Sequence, residues 1–121
     1  MSVWAEIIGE CYTAERLART LGWDEAEVAE ATESLRLLGL TTSDGRLLYP
    51  RFQLQHGQVI DGLADVLRVL STGTRSTWTW AQWLNTEGPR PNSPRNIDLL
   101  RAGRVDPVLL EAEHAAASWR S

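Results

Sequence analysis

Residues 13–49, "TAERLARTLGWDEAEVAEATESLRLLGLTTSDGRLLY", set helix starts and helix stops so close together that no long element can form across them. Thr13 is placed as an N-cap, its hydroxyl able to accept an orphan amide of a first helical turn. Ala14, Leu17, Ala18 and Leu21 then recur at helical spacing, and Gly22 is positioned to end that helix. After the Trp23 corner, Asp24 opens a second helix with Glu27 three positions on, a capping-box-like pair. The apolar stripe of this helix is Val28, Ala31, Leu35 and Leu38, with Gly39 expected to stop it. Asp44–Gly45 between two β-favouring runs predicts a tight hairpin. Helix, short turn, helix and hairpin is the outline of a winged helix-turn-helix.

Pro50 is expected to close this unit, because proline donates nothing to a strand ladder. "RFQLQHGQV" reads as a further short strand with a turn at His56–Gly57. From Ile60 the period becomes helical, with Leu63, Val66, Leu67 and Leu70 on one stripe before Gly73. Ser76 caps a tryptophan-bearing helix. "TEGPRPNSPR" holds three prolines and is an irregular connection, since each removes a backbone donor. "NIDLLRAG" is a short helix ending at Gly103, and Asp106–Pro107 is expected to cap the last helix. Val108, Leu109, Ala112 and Ala116 mark the buried face of that helix, with Trp119 beyond them. The expected fold is mainly α: a winged helix-turn-helix-like unit with a small β-hairpin over 1–50, then a small helical bundle over 51–121.

"TWTWAQWL" concentrates Trp78, Trp80 and Trp83, half of the six tryptophans, in six residues. On a helix, Trp80, Trp83 and Leu84 fall within roughly 100° of one another, whereas Trp78 projects elsewhere. A buried aromatic removes about 150–250 Å² from water, so Trp80 and Trp83 are expected to serve a core. Base stacking would need rings on an exposed cationic platform, which this helix lacks. Trp78 is left between a core edge and an interface.

Charge decides more about partners. The chain carries a formal net charge of −4, so phosphate is not attracted globally. All twelve basic residues are arginine. The second helix carries Asp24, Glu25, Glu27, Glu30 and Glu33 against Arg36, a surface that a phosphate-lined groove repels. DNA contact is therefore confined to Arg16, Arg19 or the hairpin's Arg46. Between residues 75 and 104 the bias reverses, with Arg75, Arg90, Arg95, Arg101 and Arg104 against Glu87 and Asp98. That arginine-flanked loop suits an acidic protein partner, and the opposed halves favour association as a homodimer or with another chain.

Nothing in the chain points to an enzyme. Its one cysteine, Cys11, rules out an internal disulfide or a thiolate zinc cluster, and is expected to act as a small apolar filler. His56 and His114 lie in different elements, and Glu111–His114 at i, i+3 reads as a solvated helix face. No phosphate loop, nucleophile elbow or dinucleotide fingerprint occurs, so no metal or cofactor is expected. The start lacks a basic n-region and no apolar run approaches about 20 residues, so a cytoplasmic location is expected.

The second half also resembles the toxin-binding domain of Xre/MbcA/ParS-type antitoxins. The residues that carry the likeness are Phe52–Gln53 after a proline, Gly62–Leu63 opening a helix, Trp83–Leu84, and the segment from Pro94 through Leu99 or Leu100 to Gly103. The match spans about residues 49–119, and it departs from the family in the loop "NTEGPRPNSPRN" and at Asn96–Ile97–Asp98. The resemblance implies an antitoxin of a type II toxin–antitoxin system, neutralising a RES-like toxin that consumes NAD or transfers ADP-ribose. Carried onto this chain, the toxin-binding candidates are Arg95, Arg101, Arg104, Trp119 and Arg120, with autoregulation of the operon as a second activity. The alternative is a DNA-binding winged helix-turn-helix transcriptional regulator without a toxin.

Overall fold

The structure, a computed structural model, describes residues 8–88 and 90–120. The opening segment through Ile7, Pro89 of the proline-rich loop, and Ser121 lie outside the described residues. The chain forms two compact units, Met1–Ile60 and Asp61–Ser121. It is mainly helical, with a small antiparallel sheet. No helix among the described residues is long and apolar enough to cross a membrane.

The first unit follows its capping signals. Strand β1 (Cys11–Tyr12) leads into α1 (Ala14–Leu21), where the Thr13 hydroxyl accepts from the Arg16 amide and Gly22 closes the helix at φ 73°. Helix α2 (Glu25–Glu33) begins at a complete capping box: the Glu27 amide donates to Asp24 at 2.8 Å and the Asp24 amide to Glu27 at 3.4 Å. The helix ends well before Gly39, contrary to the spacing of the leucines. Leu35 turns left-handed at φ 63°, and the Arg36 and Leu35 amides reach back to Ala31 O at 2.8 Å and Thr32 O at 3.3 Å. This is a Schellman closure with leucine at the position glycine normally fills. Leu38 still enters the core, but from extended chain.

Gly39 has a different task from ending a helix. A side chain there would stand 2.9 Å from Leu47 Cδ1 and 3.3 Å from the Tyr49 ring, so the absence of a Cβ lets the sheet close over it. Strands β2 (Leu40–Thr41) and β3 (Leu47–Pro50) form the expected hairpin, and β1 pairs with the other edge of β3, giving the order β1–β3–β2. The register sets Cys11 against Pro50, Tyr12 against Tyr49, and Leu40 against Leu48. Pro50 therefore ends a strand without ending the unit. Strands β4 (Leu54–Gln55) and β5 (Gln58–Val59) follow, joined at His56 and Gly57, both with positive φ. Leu54 and Val59 pack on the same core as Leu17, Val28, Ala31, Leu37 and Tyr49. That contact moves the boundary from Pro50 to Ile60.

One buried polar side chain ties these pieces together. Gln53 is fully buried, and its Oε1 accepts from the Leu38 amide at 2.8 Å. Its Nε2 donates to Leu38 O and to Pro50 O, both at 3.0 Å.

The second unit contains α3 (Leu63–Ser71), α4 (Thr77–Leu84), α5 (Asn96–Arg101) and α6 (Val105–Arg120). Helices α3 and α6 run parallel. At one end a Cβ on Gly62 would stand 2.8 Å from Val105, and at the other a Cβ on Gly73 would stand 2.5 Å from Ala116 O. Gly73 is thus a close-approach residue at which the two backbones meet. Leu63, Val66, Leu67 and Leu70 are buried as their stripe predicts, and so are Val108, Ala112 and Ala116, while Leu109 is half-buried. Helix α6 starts at Val105, so Pro107 lies inside its first turn, where a missing amide costs no helical bond.

Gln53→Leu keeps most of the volume but strips three backbone-facing hydrogen bonds from a dry site. At about 1 kcal/mol for each orphaned group, stability should fall by about 3 kcal/mol. Urea denaturation of the variant checks this, and an unchanged midpoint would show that water replaces the carboxamide.

Candidate functional site

The arginines expected to meet DNA sit on α1 and at the hairpin. Arg16 and Arg19 are exposed on α1, one turn apart. The Arg16 guanidinium carbon lies 5.0 Å from the centre of the Tyr12 ring, which holds it beside β1. Arg19 makes a 4.0 Å ion pair with Glu15, each side chain largely exposed, and a pair of that kind is worth little. Tyr12 faces Tyr49 across the sheet, and Arg46 stands three residues before Tyr49. At about 3.3 Å per residue, Arg46, just before β3, is on the order of 10 Å along the chain from Tyr49.

The hairpin turn is tightly closed. The Thr42 amide donates to Arg46 O at 2.8 Å, the Arg46 amide to the Thr42 hydroxyl at 3.1 Å, and the Gly45 amide to Thr42 O at 2.9 Å. Gly45 takes φ 84°, which L-residues rarely adopt. The Thr42 hydroxyl also donates to Asp44. That bond, aided by backbone amides and the Arg46 charge, holds the Asp44 carboxyl below its ordinary range. The Arg46 guanidinium itself makes no ion pair among the described residues.

Helix α2 presents a contrasting surface. Glu25, Glu27, Glu30 and Glu33 are exposed, with Ala26 and Ala29 between them. Arg36 does not offset them outward: its guanidinium pairs with Glu30 and sits 5.9 Å from the Trp23 ring. The outer face of α2 is acidic along its whole length.

The proposed toxin contacts in the second unit are not one patch. Arg95 is spent on its own fold: Nε and Nη2 donate to Asp98 at 3.0 and 3.1 Å, and Nη1 donates to Asn85 at 2.9 Å. Together with the Glu87–Arg95 bridge and the Asn96 amide on Thr86 O, these bonds shut the proline-rich loop. Arg101 is half-buried on α5, and Arg104 is exposed just before α6. Arg120 lies at the far end of α6, about 24 Å away at 1.5 Å per residue. There it donates to the Thr72 hydroxyl at 2.9 Å, a cation set against the C-terminal ends of two parallel helices. Trp119 beside it is half-buried.

The tryptophan helix divides differently from its expected face. Trp80 is buried and donates from Nε1 to Thr74 O at 3.0 Å. Ala81 and Leu84 complete the buried side, and Trp83 is only half-buried, as is Trp78. With Ala81 in the core, the buried face rotates toward the 77–81–84 edge. The spacing of the aromatic residues alone does not mark Ala81 as a core position. Cys11 is likewise half-buried, and desolvation pushes its thiol up. Among the described residues, no three His, Cys, Asp or Glu side chains gather as metal ligands. Glu111 and His114 form an exposed 3.8 Å pair on α6.

The Arg95 hydrogen bond, together with the nearby charges, holds the Asp98 carboxyl below its usual value. A depressed folded pKa stabilises above the unfolded value of about 3.9, and the contribution is lost as pH falls through the folded pKa. Amide-exchange protection at Arg95 and Asn96 should therefore drop on acidification below about pH 4. In Asp98→Asn that protection should be lower at neutral pH and insensitive to acid. Acid-sensitive protection in the variant would assign the effect to another group.

No protein-family model and no curated protein matches the chain. Among solved structures it is similar to the NMR structure of Rv2175c, at 26% identity and a TM-score of 0.74, over 88% of this chain and 81% of that one.

Proposed function

We propose that the chain is a DNA-binding protein of the winged helix-turn-helix kind, acting in transcription regulation through its first unit. The observation that carries this reading is the strand order β1–β3–β2 with the α1–α2 pair inserted between β1 and β2. In winged helix-turn-helix proteins that order sets two helices against a hairpin that can reach a neighbouring groove. Arg16, Arg19 and Arg46 are the contacts with phosphate. The 0.74 likeness to another solved structure supports the fold on which the reading rests.

The acidic α2 limits the strength of binding. Each phosphate neutralised contributes about −0.9 to the slope of log K against log salt, so three arginines give a slope of about −2.7. Fluorescence anisotropy with a 20-base-pair duplex at several salt concentrations measures it. Arg16→Glu should weaken binding to every sequence alike and flatten the slope. A salt-independent affinity, or none at low salt, would sink the proposal.

A second reading, an antitoxin acting on a RES-like toxin, draws support from one feature of the second unit. Leu110 is 53% exposed on α6, little more than a turn and a half from the exposed Arg104. An exposed apolar side chain and an exposed arginine on one helical segment suit an acidic protein partner. On this reading Arg104→Glu with Leu110→Asp abolishes rescue of cells expressing the toxin of a neighbouring reading frame, with no change in melting. Full rescue by the double variant would reject this surface.

A further inference from the structure

Helix α6 is the longest among the described residues and packs on its own unit through one face. Val108, Ala112 and Ala116 are buried on that face, and the Ala116 backbone meets Gly73 at the end of α3. At about 100° per residue, Leu110 points roughly 160° away from both Val108 and Ala112. It is the most open large apolar side chain among the described residues. Ala117 lies within about 20° of its direction, His114 within about 40° and Pro107 within about 60°. All three are exposed. The outward stripe is thus Pro107, Leu110, His114 and Ala117, spaced as in the seam between paired helices.

The charges beside this stripe are ordered by sign along the helix. Asp106, Glu113 and Arg120 follow one another at heptad spacing down one flank, all exposed. On the other flank Glu111 pairs with His114 at 3.8 Å. A parallel copy of the helix would set Asp106, Glu113 and Arg120 each against its own like charge. An antiparallel copy centred near Glu113 sets Asp106 opposite Arg120 twice and brings each Glu111 toward the His114 of the other copy. Only Glu113 then meets its equal. The same register lays Leu110 over the Ala117 of the second copy, a large side chain on a small one. We infer that this face is occupied by a second copy of the chain, its α6 antiparallel to the first, in a two-fold contact that uses one patch on both copies. The inference depends on neither reading of the function, and it gives Leu110 a different occupant from an acidic partner, which would meet Asp106, Glu111 and Glu113 around it. One helix face lies at the small end of specific interfaces, so the dimer forms with a dissociation constant on the order of 50 μM.

Sedimentation equilibrium of the full chain, from about ten times below that constant to ten times above it, tests the contact. The wild type should pass from monomer to dimer across the range. Leu110→Glu should remain monomeric throughout. The position is exposed, so melting by circular dichroism should stay unchanged and exclude misfolding. Asp106→Arg sets like charges opposite each other and should weaken association about fivefold. Adding Arg120→Asp to that variant restores the pairing with its signs exchanged, and association should return to the wild-type level. A wild type that stays monomeric at the highest concentration overturns the inference and leaves Leu110 to a different protein. Undiminished dimerisation of Leu110→Glu overturns it by placing the contact elsewhere. Failure of Arg120→Asp to rescue Asp106→Arg, with melting unchanged, overturns the antiparallel register.

Discussion

The Gln53 carboxamide is the joint on which the first unit depends. It answers both backbone groups of Leu38, where the chain leaves α2 for β2, and the carbonyl of Pro50, where the chain leaves β3. Each of these points interrupts regular structure, so no ladder or helix supplies the partner. In a fully buried site each unanswered group would cost about 1–3 kcal/mol. One side chain meets all three needs, and it thereby sets where the hairpin starts relative to the helix. Without that joint the Thr42–Arg46 turn would still close locally, but its direction relative to α1 would be loose.

The local signals were legible wherever a single residue type carries the mechanism. Thr13, Asp24 with Glu27, Ser76 and Gly22 all act as the caps their chemistry predicts, and Asp44–Gly45 turns the hairpin. The misreadings arose where tertiary structure overrides a local rule. Leu35 ends α2 in a left-handed conformation that costs a leucine about 1–2 kcal/mol, while Gly39, the residue suited to that role, is needed beneath Leu47 and Tyr49. Gly73 similarly resembles a helix stop and serves as a contact point with Ala116. Nothing in spacing separates a glycine needed for φ from a glycine needed for its missing Cβ.

The candidate surface was legible only as a list of cations. Arginines near in sequence to an irregular loop look available, yet Arg95 closes that loop through Asp98 and Asn85, and Arg120 is set on Thr72. A guanidinium with five donors is as useful for holding turns together as for meeting a partner. Availability depends on whether a carboxylate or carbonyl lies within reach, which is a property of the folded chain. Among the described residues, Arg16 lies over an aromatic face, Arg19 makes a weak ion pair, and Arg46 stands at a turn near the Asp44 carboxylate.

If the chain binds DNA as proposed, magnitudes favour α1 and the hairpin over α2 as the elements nearest to it. A carboxylate about 6 Å from a phosphate is repelled by about 0.7 kcal/mol in water, and by more where the interface excludes solvent. Helix α2 brings four glutamates, each facing phosphates on both walls of a groove, so close docking would cost several kcal/mol. Three arginines recover a similar amount at most. The two contributions cancel if helix and hairpin approach equally closely. The balance turns favourable once α2 stands off by about 8–10 Å, the Debye length near physiological salt, because its repulsion is then mostly screened. The hairpin that carries Arg46 is anchored at its base through Tyr49, whose hydroxyl hydrogen-bonds Thr32 at 2.9 Å. On the proposed DNA-binding reading, the acidic residues of α2 would therefore oppose close docking of that helix.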